Sequence, residues 1–237
     1  MTPLPGLPGI VKVLWPKGLN TAYYLDLNNF SRHTAWAHGF MHAYALWLGL
    51  TLLTVLFLCV YGTVWWRRDL HAAARMGLGG LGTFAALGLN QLVGHAAQEQ
   101  RPYDTWRHAL VIVGRAHDYA FPSDHAVVAG AILTSVLLVV RRGWVSDVLL
   151  ALVAAVLALF LCFARVYVGA HYPGDVVAGL LLGAAVVLVV SALRPVAYRI
   201  VDGLIATVLS FLVCRASGAG ASVEDLHPSR QHRRISK

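Results

Sequence analysis

Seven side chains able to do chemistry fall into three short stretches of this chain. Arg101 stands immediately before Pro102. Ser123, Asp124 and His125 follow Pro122, and Arg165, His171 and Asp175 share the dozen residues 164–175. The last stretch lies between two segments apolar enough to cross a bilayer, where ionisable groups are costly and mark a functional site. Ser123 is placed to cap the helix opened by Pro122-Ser123-Asp124-His125, and Pro173 fits the first turn of the helix opened by Tyr172-Pro173-Gly174-Asp175. Two helix N-termini present free N–H groups and partial positive charge, which suits a phosphate.

The elements that must position these groups are membrane spans. The 237 residues are 58% hydrophobic and only 13% charged, with a mean hydropathy of +0.64. Soluble chains carry about 25% charged residues, so the fold class expected is all-α, a polytopic membrane helix bundle with one membrane domain. The net charge of +8 comes from arginines at span ends and in the tail, not from one patch. That distribution argues against a nucleic-acid partner and for membrane orientation and anionic lipid headgroups. Cys59, Cys162 and Cys214 form no CxxC pair and are expected to be small buried hydrophobes. Four prolines and no sustained apolar run in the first 30 residues predict no cleavable signal peptide.

In chain order, residues 1–34 form an N-terminal interfacial segment. Its Pro/Gly-rich start, residues 2–8, is followed by an amphipathic helix over 19–30 with Asn20 as its cap. Residues 35–214 form the membrane domain, and 215–237 a basic tail expected to be disordered. Five spans are expected, near 36–66, 71–97, 123–140, 144–163 and 173–193. A sixth over 195–214 is left open between crossing and lying flat. His38 and His42 share a face of the first span, without the third ligand a metal would need. The glycines of the second span (Gly77, Gly79, Gly80, Gly82, Gly88, Gly94) suit close helix packing in lipid, and Asn90, Gln91 and His95 are polar at membrane depth. The connection 98–122 is polar and long, a pattern typical of functional loops; within it His117 and Asp118 read as ordinary loop residues.

This threading brings Arg101, Ser123, Asp124, His125, Arg165, His171 and Asp175 to one side of the membrane. Arg67, Arg68, Arg75, Arg141, Arg142, Arg194 and Arg199 fall on the other, so the positive-inside rule puts the polar constellation outside the cytoplasm. The tail arginines Arg230, Arg233 and Arg234, with Lys237, also favour the cytoplasm.

These stretches resemble the type 2 phosphatidic acid phosphatase superfamily, which includes glucose-6-phosphatase and vanadium haloperoxidases. Its pattern is Lys-x6-Arg-Pro, then Pro-Ser-Gly-His, then Ser-Arg-x5-His-x3-Asp. Arg101-Pro102 matches the end of the first and Pro122-Ser123-Asp124-His125 the second, with Asp for Gly. Arg165, His171 and Asp175 match the third at its spacing. The Pro-Ser-Asp-His variant and an Asn-Gln pair ahead of the Arg-Pro, here Asn90-Gln91, look like the undecaprenyl-diphosphate phosphatase branch. Two positions depart from the pattern: Gly94 stands at the lysine and Ala164 at the serine. Arg107, Arg115 or His95 are the residues available to replace the lost charge.

The resemblance implies roles. His171 would be the nucleophile and form a phosphohistidine, and Asp175 would accept a hydrogen bond from its other ring nitrogen. His125 would be general acid and then general base. Arg101 and Arg165 would clamp the phosphate oxygens, with Ser123 donating a further hydrogen bond. For Asp124 two roles stay open: positioning an arginine or histidine, or favouring diphosphates. No metal and no cofactor are implied, since arginines and helix ends supply the electrostatics. The function expected is hydrolysis of a polyprenyl diphosphate to the monophosphate at the outer face of a bacterial plasma membrane, recycling a lipid carrier of envelope synthesis. The alternatives are a phosphatase for phosphatidate, phosphatidylglycerophosphate or another prenyl-linked phosphate, and a non-catalytic lipid-phosphate binder or transporter. Prenyl length and oligomeric state are not legible.

Overall fold

A computed structural model describes residues 17–116, 118–140 and 145–220, with side chains over 18–211 of that set. The Pro/Gly-rich start, His117, the basic turn at 141–143, the side chain of Cys214 and the basic tail residues lie outside the described residues. The chain divides into two compact units, Met1–Pro195 and Val196–Lys237.

The described residues are helical and connecting segments, with no strand among them. Helix α1 is Lys17–His33. A 3-10 turn, Ala35–Ala37, leads into α2 (His38–Ala43), a π-helical turn (Tyr44–Leu48) and α3 (Gly49–Trp66). Then come α4 (Leu70–Ala97), the short α5 (Pro102–Thr105), α6 (Asp124–Leu137), α7 (Val145–Tyr167), α8 (Pro173–Ser191) and α9 (Arg194–Gly220). Among the described residues, four stretches are long and apolar enough to cross a membrane: Ala35–Trp66, Leu70–Thr105 (which contains α4), Val145–Tyr167 and Pro173–Ser191.

The expected third span differs. Its helix α6 has 14 residues, about 21 Å at 1.5 Å per residue, against a hydrocarbon core of about 30 Å. It is the central helix, packed against α4, α7 and α8 and burying Ala126, Val127, Ala129, Ala131, Ile132 and Val136. Small residues make this possible. A Cβ on Gly130 would overlap the Leu180 carbonyl of α8, and one on Gly183 would overlap the Val127 carbonyl of α6. Close backbone approach of this kind is what small residues provide where lipid gives no hydrophobic drive between helices. The expected glycine seam on α4 is only partly used: Gly79 and Gly82 meet Ser135 and Val187, whereas Gly77 and Gly88 face open space.

Local chemistry fixes the turns. Arg68 takes a left-handed conformation (φ 55°), and the Asp69 side chain caps α4 by accepting from Ala72 N at 2.9 Å. Arg67 Nη1 then binds Asp147 Oδ1 at 2.7 Å, joining the end of α3 to α7. Residues 195–214 lie inside α9, which runs on to Gly220, past the expected helix end at 214. Cys162 is buried as expected, but Cys59 is exposed on the outer side of α3, where a small apolar thiol suits lipid as well as a core.

On helix α1 the inward face is polar and the outward face largely apolar, the reverse of a soluble helix. Asn20, Tyr24, Asn28 and Ser31 point inward at helical spacing, while Leu19, Tyr23 and Phe30 are exposed. Asn20 does not cap α1, which begins three residues earlier. Its Oδ1 instead accepts from Gly174 N at 2.9 Å, satisfying a free N–H at the start of α8. His38 is likewise satisfied, its Nε2 2.9 Å from the Ser31 carbonyl.

Candidate active site

The site is assembled from four chain segments that meet at one end of the bundle. Arg101 is the N-cap residue of α5, held extended (φ −67°, ψ 151°) before Pro102. Arg165 stands in the last turn of α7, His171 in the loop to α8, and His125 in the first turn of α6. Arg101, Asp124, His125, Arg165 and His171 line one cavity of about 230 Å³. Arg101 and Arg165 are each 6% exposed and His171 2%.

The two guanidiniums converge on one nitrogen. Arg165 Nη2 lies 2.9 Å from His171 Nε2, and Arg101 Nη1 lies 3.4 Å from the same atom. The other ring nitrogen, Nδ1, is 2.8 Å from the Ala120 carbonyl oxygen. A carbonyl only accepts, so Nδ1 carries the proton and the Nε2 lone pair faces the arginines. Burial, then the charges of Arg165 and Arg101, hold the His171 imidazolium well below its ordinary range, with the Ala120 bond opposing. His171 is therefore neutral near pH 7.

Asp175 stands beside this ring without being its first partner. Its Oδ2 accepts from the Tyr172 backbone N–H at 2.8 Å and lies 3.5 Å from His171 Nδ1. The closer acceptor is the Ala120 carbonyl, which no residue type announces in a sequence. Two further carbonyls belong to the π-helical turn of the first span. Ala45 O accepts from Arg165 Nη1 at 3.2 Å, and Leu46 O lies 3.2 Å from His125 Nε2. A π-turn re-aims backbone carbonyls that an α-helix would keep within its ladder.

The remaining expected residues divide. Ser123 is fully buried at the N-cap position of α6, but its hydroxyl makes no capping bond. Its backbone N donates to the Asp175 carbonyl at 3.1 Å, joining the two helix openings. Asp124 Oδ1 accepts from Asn90 Nδ2 at 2.6 Å and Gln91 Nε2 at 3.0 Å. The carboxylate therefore fastens α6 to α4, and a group of its own sign is no partner for phosphate. Gln91, Asn90, His95 and Arg115 line a neighbouring cavity of about 670 Å³ together with Asp104, Asp118 and Asp124. Arg115 lies 5.8 Å over the Tyr103 ring. Arg107 is not brought to the site: it lines a separate cavity with Arg32 and His108 beside α1. Gly94 has its own reason, since a Cβ there would sit 3.3 Å from the Phe121 carbonyl oxygen.

Sequence reasoning passed over Asp118, whose Oδ1 lies 2.7 Å from Arg101 Nη2 and 2.9 Å from Nε. A lone acid in a polar loop gives no signal until the loop is folded. Arg165 Nε, Ser123 Oγ, Asp175 Oδ1 and Asn90 Oδ1 are buried here without a hydrogen-bond partner among the described residues. Buried groups of this kind are ordinarily satisfied.

Comparison with known proteins agrees with this architecture. The chain is 31% identical over 99 residues to an undecaprenyl-diphosphatase of Sulfolobus acidocaldarius, a match spanning 41% of this chain and 45% of that relative. The relative is thus matched over less than half its length. The fold is similar to the crystal structure of a transmembrane PAP2 type phosphatidylglycerolphosphate phosphatase from Bacillus subtilis, with a TM-score of 0.60 at 18% identity over 79% of this chain and 92% of that one. The PAP2 superfamily model matches residues 76–199, more than half of the 237 residues and a range that holds all three chemical stretches. A multi-pass membrane protein, this chain belongs to the PAP2 superfamily.

Proposed function

We propose that this protein is an integral membrane lipid phosphatase that hydrolyses a polyprenyl diphosphate of the undecaprenyl type to the monophosphate through a phosphohistidine at His171. The observation that carries the reading is the neutral His171 ring, its Nε2 lone pair turned toward two guanidiniums at 2.9 and 3.4 Å. An anion held between Arg101 and Arg165 places its phosphorus at that lone pair. The match to an undecaprenyl-diphosphatase supports the substrate class.

The reaction follows from these positions. The Nε2 lone pair attacks the terminal phosphorus and the bond to the bridging oxygen breaks. His125 gives its proton to the departing prenyl monophosphate. His125 then takes a proton from water, whose oxygen attacks the phosphohistidine; the P–N bond breaks and orthophosphate leaves. Asp175 and the Ala120 carbonyl stabilise the cationic ring formed between the two steps, while the guanidiniums carry the charge on the phosphoryl oxygens. This chemistry calls for no metal and no cofactor, and its partners are the lipid substrate and the bilayer. Span-end arginines such as Arg67, Arg68 and Arg75 support a site on the extracytoplasmic face of a bacterial plasma membrane, where the product would return to the carrier cycle of peptidoglycan and envelope synthesis.

One observation favours a second substrate. The carboxylates of Asp104, Asp118 and Asp124 line the cavity beside the site, and they suit a hydroxyl-rich leaving group better than a second phosphate. Phosphatidylglycerophosphate is such a substrate. Phosphate release from purified undecaprenyl diphosphate, phosphatidylglycerophosphate and phosphatidate decides between them. Equal rates on all three would remove the prenyl assignment, and turnover surviving in His171→Ala would remove the nucleophile.

A further inference from the structure

The structure assigns a role to Asp118: we propose that its carboxylate is a built-in competitor for Arg101, pairing that guanidinium and weakening its hold on orthophosphate so that product leaves. The proposal rests on the phosphatase reading and names a determinant of that site's affinity for its product.

The geometry is one-sided. Asp118 Oδ1 contacts Arg101 at Nη2 (2.7 Å) and Nε (2.9 Å), occupying one edge of the guanidinium. The opposite nitrogen, Nη1, points to the Ala170 carbonyl at 3.1 Å and to His171 Nε2 at 3.4 Å. Arg101 therefore offers the reacting nitrogen one edge while Asp118 holds the other. The exposures are just as unequal. The Arg101 side chain is 7% exposed, fixed from all sides, whereas that of Asp118 is 61% exposed. An acid open to water is thus paired to a base held in the interior.

Charge explains why such a group is there. Without phosphate, two guanidiniums meet over a neutral imidazole, and Arg165 has no ion pair among the described residues and a buried Nε without a partner. Asp118 supplies a counter-charge to Arg101. When a phosphate dianion takes the His171 side of Arg101, two like charges face each other across one guanidinium, roughly 7 Å apart. With one partner open to water, repulsion at that distance is worth on the order of a tenfold change in affinity. A site with two arginines and a helix opening would otherwise hold phosphate tightly, and Asp118 offsets that.

Asp118→Asn tests the idea, because the amide keeps an oxygen to accept from Arg101 and removes only the charge. Inhibition constants for orthophosphate and vanadate are measured on the full-length protein in bilayer discs, with Asp118→Ser as a second neutral variant in case the first does not fold. The expected result is an inhibition constant about tenfold lower for both anions in both variants, with a melting temperature close to wild type. An unchanged or higher constant overturns the proposal; a higher one would mean that Asp118 orients Arg101. The two readings fail separately. Wild-type protein that releases no phosphate from any lipid and binds neither anion removes the phosphatase reading itself. Wild-type protein that turns over and is inhibited, with a neutral variant inhibited equally, removes only the role of Asp118.

Discussion

Arg165 Nη2 lies 2.9 Å from His171 Nε2, and the two residues are separated only by the last turn of α7 and a tight loop. The contact sets the imidazole's electronic state. A guanidinium donates and never accepts, so the nitrogen facing it must carry its lone pair, and the proton goes to Nδ1 against Ala120. The guanidinium and the imidazole thus fix each other's orientation and tautomer.

Arg165→Lys is expected to lower kcat/KM by about 10²–10³-fold. Removing one preorganised donor from a developing oxyanion costs about that much, and a lysine cannot hold Ala45 O, His171 Nε2 and a phosphate oxygen at once. Steady-state kinetics on the preferred lipid phosphate check this. The loss should fall mainly on kcat, and a change confined to KM would mean that Arg165 binds the ground state only.

His171 also makes stability depend on pH. Its folded-state pKa lies below the ordinary value of about 6.5, so below that pH the unfolded chain binds a proton that the folded chain does not. Stability from this group is complete above pH 6.5 and falls as pH drops toward the folded pKa. His171→Gln removes the titration. Melting at pH 7 and pH 5 should show wild type losing more than the variant, and an equal loss in both would mean that the ring is not held neutral.

The legible and illegible parts of this site differ in kind. Side-chain identity at fixed spacing pointed to Arg101, His125, Arg165, His171 and Asp175, because a membrane penalises those types. Backbone carbonyls announce nothing, so Ala45, Leu46, Ala120 and Ala170 became visible only through coordinates. Asp124 was seen, but a sequence cannot show that Asn90 and Gln91 reach it across two helices. Arg107 was offered as a substitute charge because it is basic and in the right loop, and the path of that loop takes it toward α1. Span counting succeeded where lipid contact sets helix length, at 35–66 and 173–191, and overran for α6, whose neighbours are protein.

Glycine substitutions test the packing of that central helix. Gly130→Ala pushes a methyl into the Leu180 carbonyl, and two rigid backbones cannot both yield. A loss of at least about 2 kcal/mol is expected, the scale of overpacking a well-filled core, or failure to fold. Gly88→Ala, with nothing within 4 Å of its Cβ, should be neutral or stabilising by up to about 1 kcal/mol from helix propensity. Unfolding of both variants in the same detergent settles the contrast; equal effects would mean that α6 and α8 are not in backbone contact.

Helix α1 gives the last prediction, because it supports the site's loops without lining its cavity. Asn28 Nδ2 donates to Leu110 O at 2.7 Å, and Leu110 N donates back to Asn28 Oδ1 at 3.0 Å. Two residues on, Ile112 N bonds the Val168 carbonyl at 3.1 Å, in the loop that carries His171. Hydrogen bonds therefore join α1 to the long connection, and the long connection to the loop that carries His171. Asn28→Leu keeps the volume and removes both bonds, leaving a partly buried N–H and C=O at Leu110. Unsatisfied groups of that kind cost about 1–3 kcal/mol, which for a chain of this size is a melting-temperature fall of roughly 4–8 °C at the middle of that range. If these bonds matter to the site, kcat falls about tenfold at temperatures well below melting, while exposed Asn29→Leu, one position away, changes neither quantity. A destabilised Asn28→Leu protein with full kcat would show that α1 holds the fold together and leaves the alignment of His171 to α7 and α8.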